Sequence, residues 1–441
     1  MRLAILVLTL ALVASPSLAQ QPAAAGDSAV GLLDAVRIGR GNAVNAIEAR
    51  NSAAAASARI GQRRADLLPT INAGASFTRQ TLNLDEFGLS FPGVPPVTPD
   101  FSVYRLGITA RQALWDPAAI ARLRAARDNA VAAGLDSRTT ADLSGAMAAL
   151  AYLRVLGADE TVRARLEDST VAASLMQQAR RLVDAGVSPA IDATRSEVSF
   201  ADVRTQLEVA RNTAGRSRLD LLRALDFPAG TTLRLTDSLQ SLQQYALPFP
   251  TGTDSAVSYA MAHRAEIAAE RARTESQRRT LTSIKAENLP SVALSGGYTE
   301  SGRQTSTLRA TYNVMLGVSI PILDGFHRQT RAQEQEALVG VQESREHDVQ
   351  RQVETEVRQA MLDVASATQQ TAIAADRVNL AETELHQAQQ RFEQGVAGSV
   401  ETTQAQSAVI AARDAWIQAR LAYATARLAA YRALGVLDQI H

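Results

Sequence analysis

The chain of 441 residues has no cysteine. In an exported protein that excludes a disulfide framework, and it leaves no thiolate for catalysis and no residue for a lipid anchor. Lysine is nearly missing too: Lys285 is the only one among 45 basic residues, which 45 acidic residues balance. Nucleic-acid binders carry a strongly basic face, so no nucleic-acid partner is expected. The preponderance of arginine suits either anion binding by guanidinium groups or a compositional habit of the source genome. Aromatic residues make up only 4% while alanine abounds, a composition for closely packed helices rather than a bulky globular core. The five histidines are scattered, no phosphate-cradling Gly-Lys-Ser/Thr occurs, and Gly39–Arg40–Gly41 lacks both a third glycine and a preceding strand. An enzyme, a cofactor and a metal site are therefore not expected.

Long apolar runs are also scarce. Leu3 to Val13 is the one candidate, with Arg2 before it and Ser17–Leu18–Ala19 after it. It is too short for a spanning helix of about 20 residues and has the layout of a signal peptide, residues 1–19. Export then leaves three places for the mature chain: the periplasm, the medium, or the outer membrane as β-strands.

What is present is a duplication. Gly186–Val187–Ser188–Pro189–Ala190–Ile191–Asp192–Ala193–Thr194 returns 209 residues later as Gly395–Val396–Ala397–Gly398–Ser399–Val400–Glu401–Thr402–Thr403, and the offset holds to Arg432–Ala433–Leu434. So long a period is a duplicated half rather than a solenoid unit. The first repeat is assigned to 20–227 and the second to 255–441, with a linker at 228–254 where the pattern lapses.

Each half reads in the same order. A helix from about Ala43 to Leu68 stops at Pro69, and one from Ser255 to Asn288 stops before Pro290. Strict alternation follows each stop. Ile71, Ala73, Ala75 and Phe77 face one way and Asn72, Gly74, Ser76 and Thr78 the other, which is the period of a strand with one apolar face. The hairpins span about 70–114 and 291–322. Asp116–Pro117 and Asp324–Gly325 then open helices of about 69 residues, roughly 100 Å at 1.5 Å per residue, which end at Gly186 and Gly395. Within the second, Val349, Val353, Val357, Ala360, Val364 and Ala367 form a coiled-coil-like seam. A return helix completes each half.

Four strands of about ten residues suit a tilted outer-membrane span. They cannot close a barrel alone, and lipid does not tolerate open sheet edges. Three copies would supply twelve strands, with Asn72, Ser76, Thr78, Ser295, Asn313 and Ser319 lining a wet lumen. The expected fold is mainly α with a small β part: a trimeric helical tunnel continuous with a 12-stranded barrel, four strands per chain. A periplasmic helical scaffold without a pore is the alternative.

In this order and spacing the chain resembles the TolC-like outer-membrane efflux proteins. The resemblance rests on the Leu-Pro strand entries, Leu106–Gly107–Ile108 and Leu316–Gly317–Val318, the Asp324–Gly325 helix start and the two glycine turns. His263–Arg264–Ala265–Glu266 is similar to the family's helix start after the midpoint, with Ala265 where proline is usual. The resemblance implies a passive exit duct in the outer membrane, with its tunnel in the periplasm. It implies a homotrimer in outer-membrane lipid, served by a periplasmic adaptor (membrane fusion) protein and an inner-membrane pump of RND or ABC type. It puts Gly186, Val187, Ser188, Gly395, Val396 and Ala397 at the periplasmic tips, where the valines either dock the adaptor or merely staple the turns. It puts Asp192 and Glu401 at the tunnel entrance as a charge ring; the other reading makes them first-turn acids favoured by a helix N-terminus. The second acid and the basic partner of the family pattern are missing from this chain, at Gln404 and near Ala397, which counts against a locked, salt-bridged gate.

Overall fold

A computed structural model describes residues 28–89, 92–93, 95–241 and 252–437. The expected signal peptide lies outside them, as do parts of the first hairpin loop and of the linker. In chain order the elements are β1 (Ser28–Val30), α1 (Leu32–Asn42), α2 (Val44–Ala65), β2 (Thr70–Gln80), β3 (Phe101–Trp115), α3 (Pro117–Asp184), α4 (Ala190–Ala224), β4 (Leu233–Leu235), α5 (Thr253–His263), α6 (Ala265–Ala286), β5 (Ser291–Gly302), β6 (Arg309–Ser319), α7 (His327–Glu393) and α8 (Ser399–Leu434).

The two long helices exist because nothing interrupts them and their starts are fixed. At α3 the Asp116 carboxylate accepts a hydrogen bond from the Ala119 amide at 2.9 Å, and Pro117 takes the first helical position, where its missing N–H costs nothing. At α7 the chain turns through Gly325 and Phe326, both at positive φ, and Asp324 Oδ2 accepts from the Arg328 amide at 3.1 Å and from its Nε at 2.6 Å. With 68 and 67 residues, these helices run about 100 Å.

They are long enough to serve two layers. In the half that follows the strands, α2, α3, α6 and α7 lie side by side in that order; in the half nearer the glycine turns the order is α4, α3, α8, α7. Each strand of the sheet thus continues into a helix of the first layer. Small side chains set the spacing: Ala118, Ala119, Ala121 and Ala125 are buried at the head of α3, and Ala381, Leu385, Ala388, Ala405, Val409 and Ala412 form a cluster between α7 and α8. Of the expected α7 seam, Val353, Val357, Ala360 and Ala367 are buried, and Val349 and Val364 pack partly buried against the core.

The largest core sits at the waist, where β1, β4 and α1 gather at the middle of α3 and α5 packs on α7 and α8. Tyr152 is fully buried there, its hydroxyl 3.1 Å from the Val30 carbonyl and 2.9 Å from Asp237 Oδ2. Gly39 belongs to this packing: a Cβ on it would stand 2.6 Å from the Ala148 methyl, so glycine permits α1 to cross α3 closely.

Three features of the waist correct the sequence reading. The segment 228–254 is not only a linker, since β4 pairs in parallel with β1 and α5 begins at Thr253. Each half also opens on a short helix that the sequence reading did not separate: an 11-residue helix precedes a 22-residue helix in both. Finally, the expected helix from Ser255 to Asn288 is two helices, broken at Arg264 (φ −66°, ψ 124°). The cause is a buried guanidinium. Arg264 pairs with Glu266 at 2.8 Å and Glu356 at 3.0 Å and donates to the Ala433 carbonyl at 3.1 Å. Those fixed partners hold the backbone extended where no proline signals a break.

The sheet is antiparallel throughout, in the order β2-β3-β5-β6. Its register puts Phe77 opposite Tyr104, Ala73 opposite Ile108, Ile108 opposite Tyr298, and Tyr298 opposite Tyr312. One exposed apolar face therefore crosses all four strands, and Asn72, Ser76, Thr78, Ser295, Asn313 and Ser319 lie on the other. Trp115 closes β3 past a bulge, 55% exposed. No helix among the described residues is long and apolar enough to cross a membrane.

Candidate functional site at the helix turns

Two glycine turns stand side by side at the far end of the helices. In the first, Gly186 (φ +75°) donates to the Val183 carbonyl at 2.9 Å and Val187 donates to Leu182 at 2.9 Å. In the second, Gly395 (φ +69°) donates to Phe392 at 3.1 Å and Val396 to Arg391 at 3.0 Å. Both are Schellman caps, which satisfy the last carbonyls of a helix and require a left-handed residue best supplied by glycine. The turns touch: a Cβ on Gly395 would lie 3.5 Å from Val187 Cγ1. Val187 and Val396 are 59% and 68% exposed at the extreme end, while Ser188 and Ala397 are half-buried behind them.

The two acids occupy equivalent positions and do different things. Pro189 and Gly398 are the N-caps of α4 and α8, with no side chain able to cap, and Asp192 and Glu401 each fall in the first turn that follows. Asp192 is only 5% exposed; its Oδ1 accepts from the hydroxyl of Ser399, which is fully buried, at 2.6 Å. The carboxylate thus ties the start of α8 to the start of α4, and it does not present a free charge as expected of a ring member. Ser399 takes the place of Ala190 in the duplication, and that change supplies the hydroxyl that draws Asp192 inward.

Glu401 keeps 43% of its side chain exposed and pairs with Arg391 Nε at 3.2 Å. A basic partner therefore exists, one turn before Gly395 rather than near Ala397 where the sequence reading looked for it. Its counterpart in the first half is Leu182, and comparing the repeats upstream of the glycines would have shown the difference.

Further from the turns is a polar cluster that sequence reasoning missed. Asp168, buried on α3, accepts from Arg165 at 2.9 Å and from Arg413 on α8 at 3.0 Å. Arg413 also bonds Glu382 on α7 at 2.7 Å, and Arg165 reaches Asp414. Burial pushes the Asp168 carboxyl above its ordinary range, against the pull of the two guanidinium groups. Three helices of both halves are locked together here. In the sequence these residues look like ordinary helix-surface charges, so no local signal marks them. Among the described residues no group of His, Cys, Asp and Glu could hold a metal ion.

An exposed apolar sheet face, strands that run on into long helices, and a polar second sheet face define a channel subunit with a helical tunnel. The model of the outer membrane efflux protein family matches residues 42–226 and 256–436, and the chain belongs to that family. The family is one of efflux proteins of the outer membrane. Solved structures share the fold. A membrane protein from Pseudomonas aeruginosa is 19% identical with a TM-score of 0.81 over 92% of each chain. The CmeC outer membrane channel of Campylobacter jejuni is 16% identical, TM-score 0.78, over 92% of this chain and 85% of that one. The open state of the MtrE outer membrane channel of Neisseria gonorrhoeae is 16% identical, TM-score 0.77, over 92% and 89%. No match was found among curated proteins.

Proposed function

We propose that three copies of this chain form the passive exit duct of a tripartite efflux or secretion system. The observation that carries the reading is the sheet: β2 and β6 are edges without partners among the described residues, and the apolar face between them is exposed. In lipid such edges must be completed, and β6 of one copy beside β2 of the next closes twelve strands. The same closure brings α7 beside α4 of the neighbouring copy, since these are the edge helices of the second layer. Both present apolar side chains outward, among them Leu362, Ile373 and Leu380 on α7 and Val198 and Val209 on α4.

In this reading Val187, Val396 and the residues around them dock a periplasmic adaptor, which joins the duct to an inner-membrane pump of RND or ABC type. Glu401 forms the acidic ring at the entrance, moderated by Arg391, and Asp192 holds the two turns of each copy in one unit. A periplasmic scaffold without a pore is disfavoured by the four amphipathic strands, which it would have no use for.

The absence of cysteine makes the test clean. Ser188→Cys is then the only thiol, and crosslinking in intact cells should capture an adaptor together with its pump, whose type indicates the cargo class. An abundant, reactive thiol that captures neither would overturn the tripartite reading. Release of the protein from membranes by salt or alkali would favour the scaffold.

A further inference from the structure

Polar barrel faces are commonly neutral or mixed in charge, and this one is neither. The only carboxylate in the four strands, Glu300, is on the apolar face, where it accepts from the Tyr298 hydroxyl at 3.1 Å. Four arginines lie in the strands. Arg79 is on the apolar face and pairs with Asp100. The other three, Arg105, Arg111 and Arg309, are exposed on the polar face and form no ion pair among the described residues.

The register arranges them. Arg105 stands opposite both Ser76 and Ser301, and Ser301 stands opposite Arg309, so Arg105 and Arg309 share one cross-strand row with a serine between them. Two strand spacings separate them, about 10 Å. Arg111 lies in a row nearer the helices, opposite Thr70 and Ser295. Between the two levels the face carries only short neutral side chains: Gly107, Thr299 and Thr311 in one row, Thr109, Gly297 and Asn313 in the next. No side chain between the two levels is long enough to cover the guanidinium groups, and no carboxylate in the strands lies on this face to neutralise them.

We propose that Arg105 and Arg309 form a cationic belt inside the barrel that favours anionic cargo, with Arg111 as a second, inner level. The inference rests on the duct reading, which makes the polar face a lumen. Three copies then bring six guanidinium groups to one level of a water-filled pore with low-dielectric walls, an arrangement that focuses potential and concentrates counter-ions. The charged rings of a pore set which ions and solutes pass it. Arginine remains charged at every physiological pH, so the belt does not switch off. It opposes the sign of the Glu401 ring at the other end, and cargo with a carboxylate, sulfonate or phosphate group gains at the barrel what it loses at the entrance.

The test again uses the cysteine-free background. Ser301→Cys places a single thiol between the two arginines, and intact cells are treated with two thiol reagents of similar size, an anionic sulfonate and a quaternary ammonium methanethiosulfonate. The ratio of anionic to cationic labelling rates is compared with and without Arg105→Gln and Arg309→Gln. A potential of one to several kT acts oppositely on the two reagents, so the ratio should fall about tenfold in the double variant. Should the double variant not assemble, Arg309→Gln alone removes half the charges and should lower the ratio about threefold. Labelling at an unchanged ratio overturns the belt and leaves the duct standing. A thiol at Ser301 that resists both reagents, while one at Tyr298 reacts, would mean that the arginine face is not wet, and overturns the duct and the belt together.

Discussion

The two turns share a backbone and differ in chemistry. Each ends a long helix with a left-handed glycine, each exposes a valine next, and each puts an acid in the first turn of the return helix. Yet Asp192 is buried on Ser399 while Glu401 is half exposed on Arg391. After duplication the cap had to be kept, because the last carbonyls of each long helix depend on it. The side chains around it were free to divide the work: one acid joins the turns, and the other is left facing out.

The largest effect should come from what the turns still share. Val187→Asp and Val396→Asp add a charge at the exposed end without touching the caps. Each should abolish efflux, measured as drug or metabolite retention at the level of a deletion strain, with trimer content on native gels unchanged. Normal efflux in both variants would mean that the valines only staple the turns.

Next are the acids, and here the halves should part. Asp192→Ala leaves the buried Ser399 hydroxyl without its acceptor, a loss of about 1–3 kcal/mol. Glu401→Ala removes an exposed pair worth less than about 1 kcal/mol. Hydrogen exchange of the first-turn amides of α4 and α8 reports local opening. It should accelerate by about 5- to 150-fold in the first variant and by less than about fivefold in the second. Equal acceleration would erase the distinction.

Between those two losses, and equal in the two halves, should be the cost of replacing the glycines. Gly186→Ala and Gly395→Ala each force an L-residue into the left-handed region, at about 1–2 kcal/mol. The space around Gly395 does not add to that, because Val187 stands at ordinary contact distance from the new methyl. Unequal losses of thermal stability in the isolated trimer would mean that the contact between the turns bears load of its own.

Much of this was legible in the sequence, for a reason that is physical. Period two and period 3.6 are set by burial of one face, and Pro69, Pro290, Asp116, Asp324 and the two glycines act within a few residues of where they stand. Ile71 to Phe77 could thus be read as a strand before any fold was known. The break at Arg264 could not, because its causes are Glu356 and the Ala433 carbonyl, distant in the chain. Nor could α1 and β4, which are short and gain their stability from the waist they pack against. At the turns, the acids and glycines were found by their recurrence. The direction each acid faces was hidden, since it depends on Ser399 and Arg391, two of the places where the repeats differ.

Arg391 offers the finest test of that divergence. Arg391→Leu gives the second turn the residue that the first has at Leu182, and Glu401 loses its partner inside the chain. Little stability should go with it, under about 1 kcal/mol, and less at high salt, where exposed pairs are screened. In the proposed duct, however, the ring of Glu401 becomes more negative. Cation preference of the trimer in a planar bilayer should therefore rise in Arg391→Leu and fall in Glu401→Gln, two changes that break the same ion pair. If the pair mattered only for stability, both variants would shift selectivity alike or not at all. Opposite signs would show that the second turn has kept its charge for the pore, while the first has spent its own on holding the tips together.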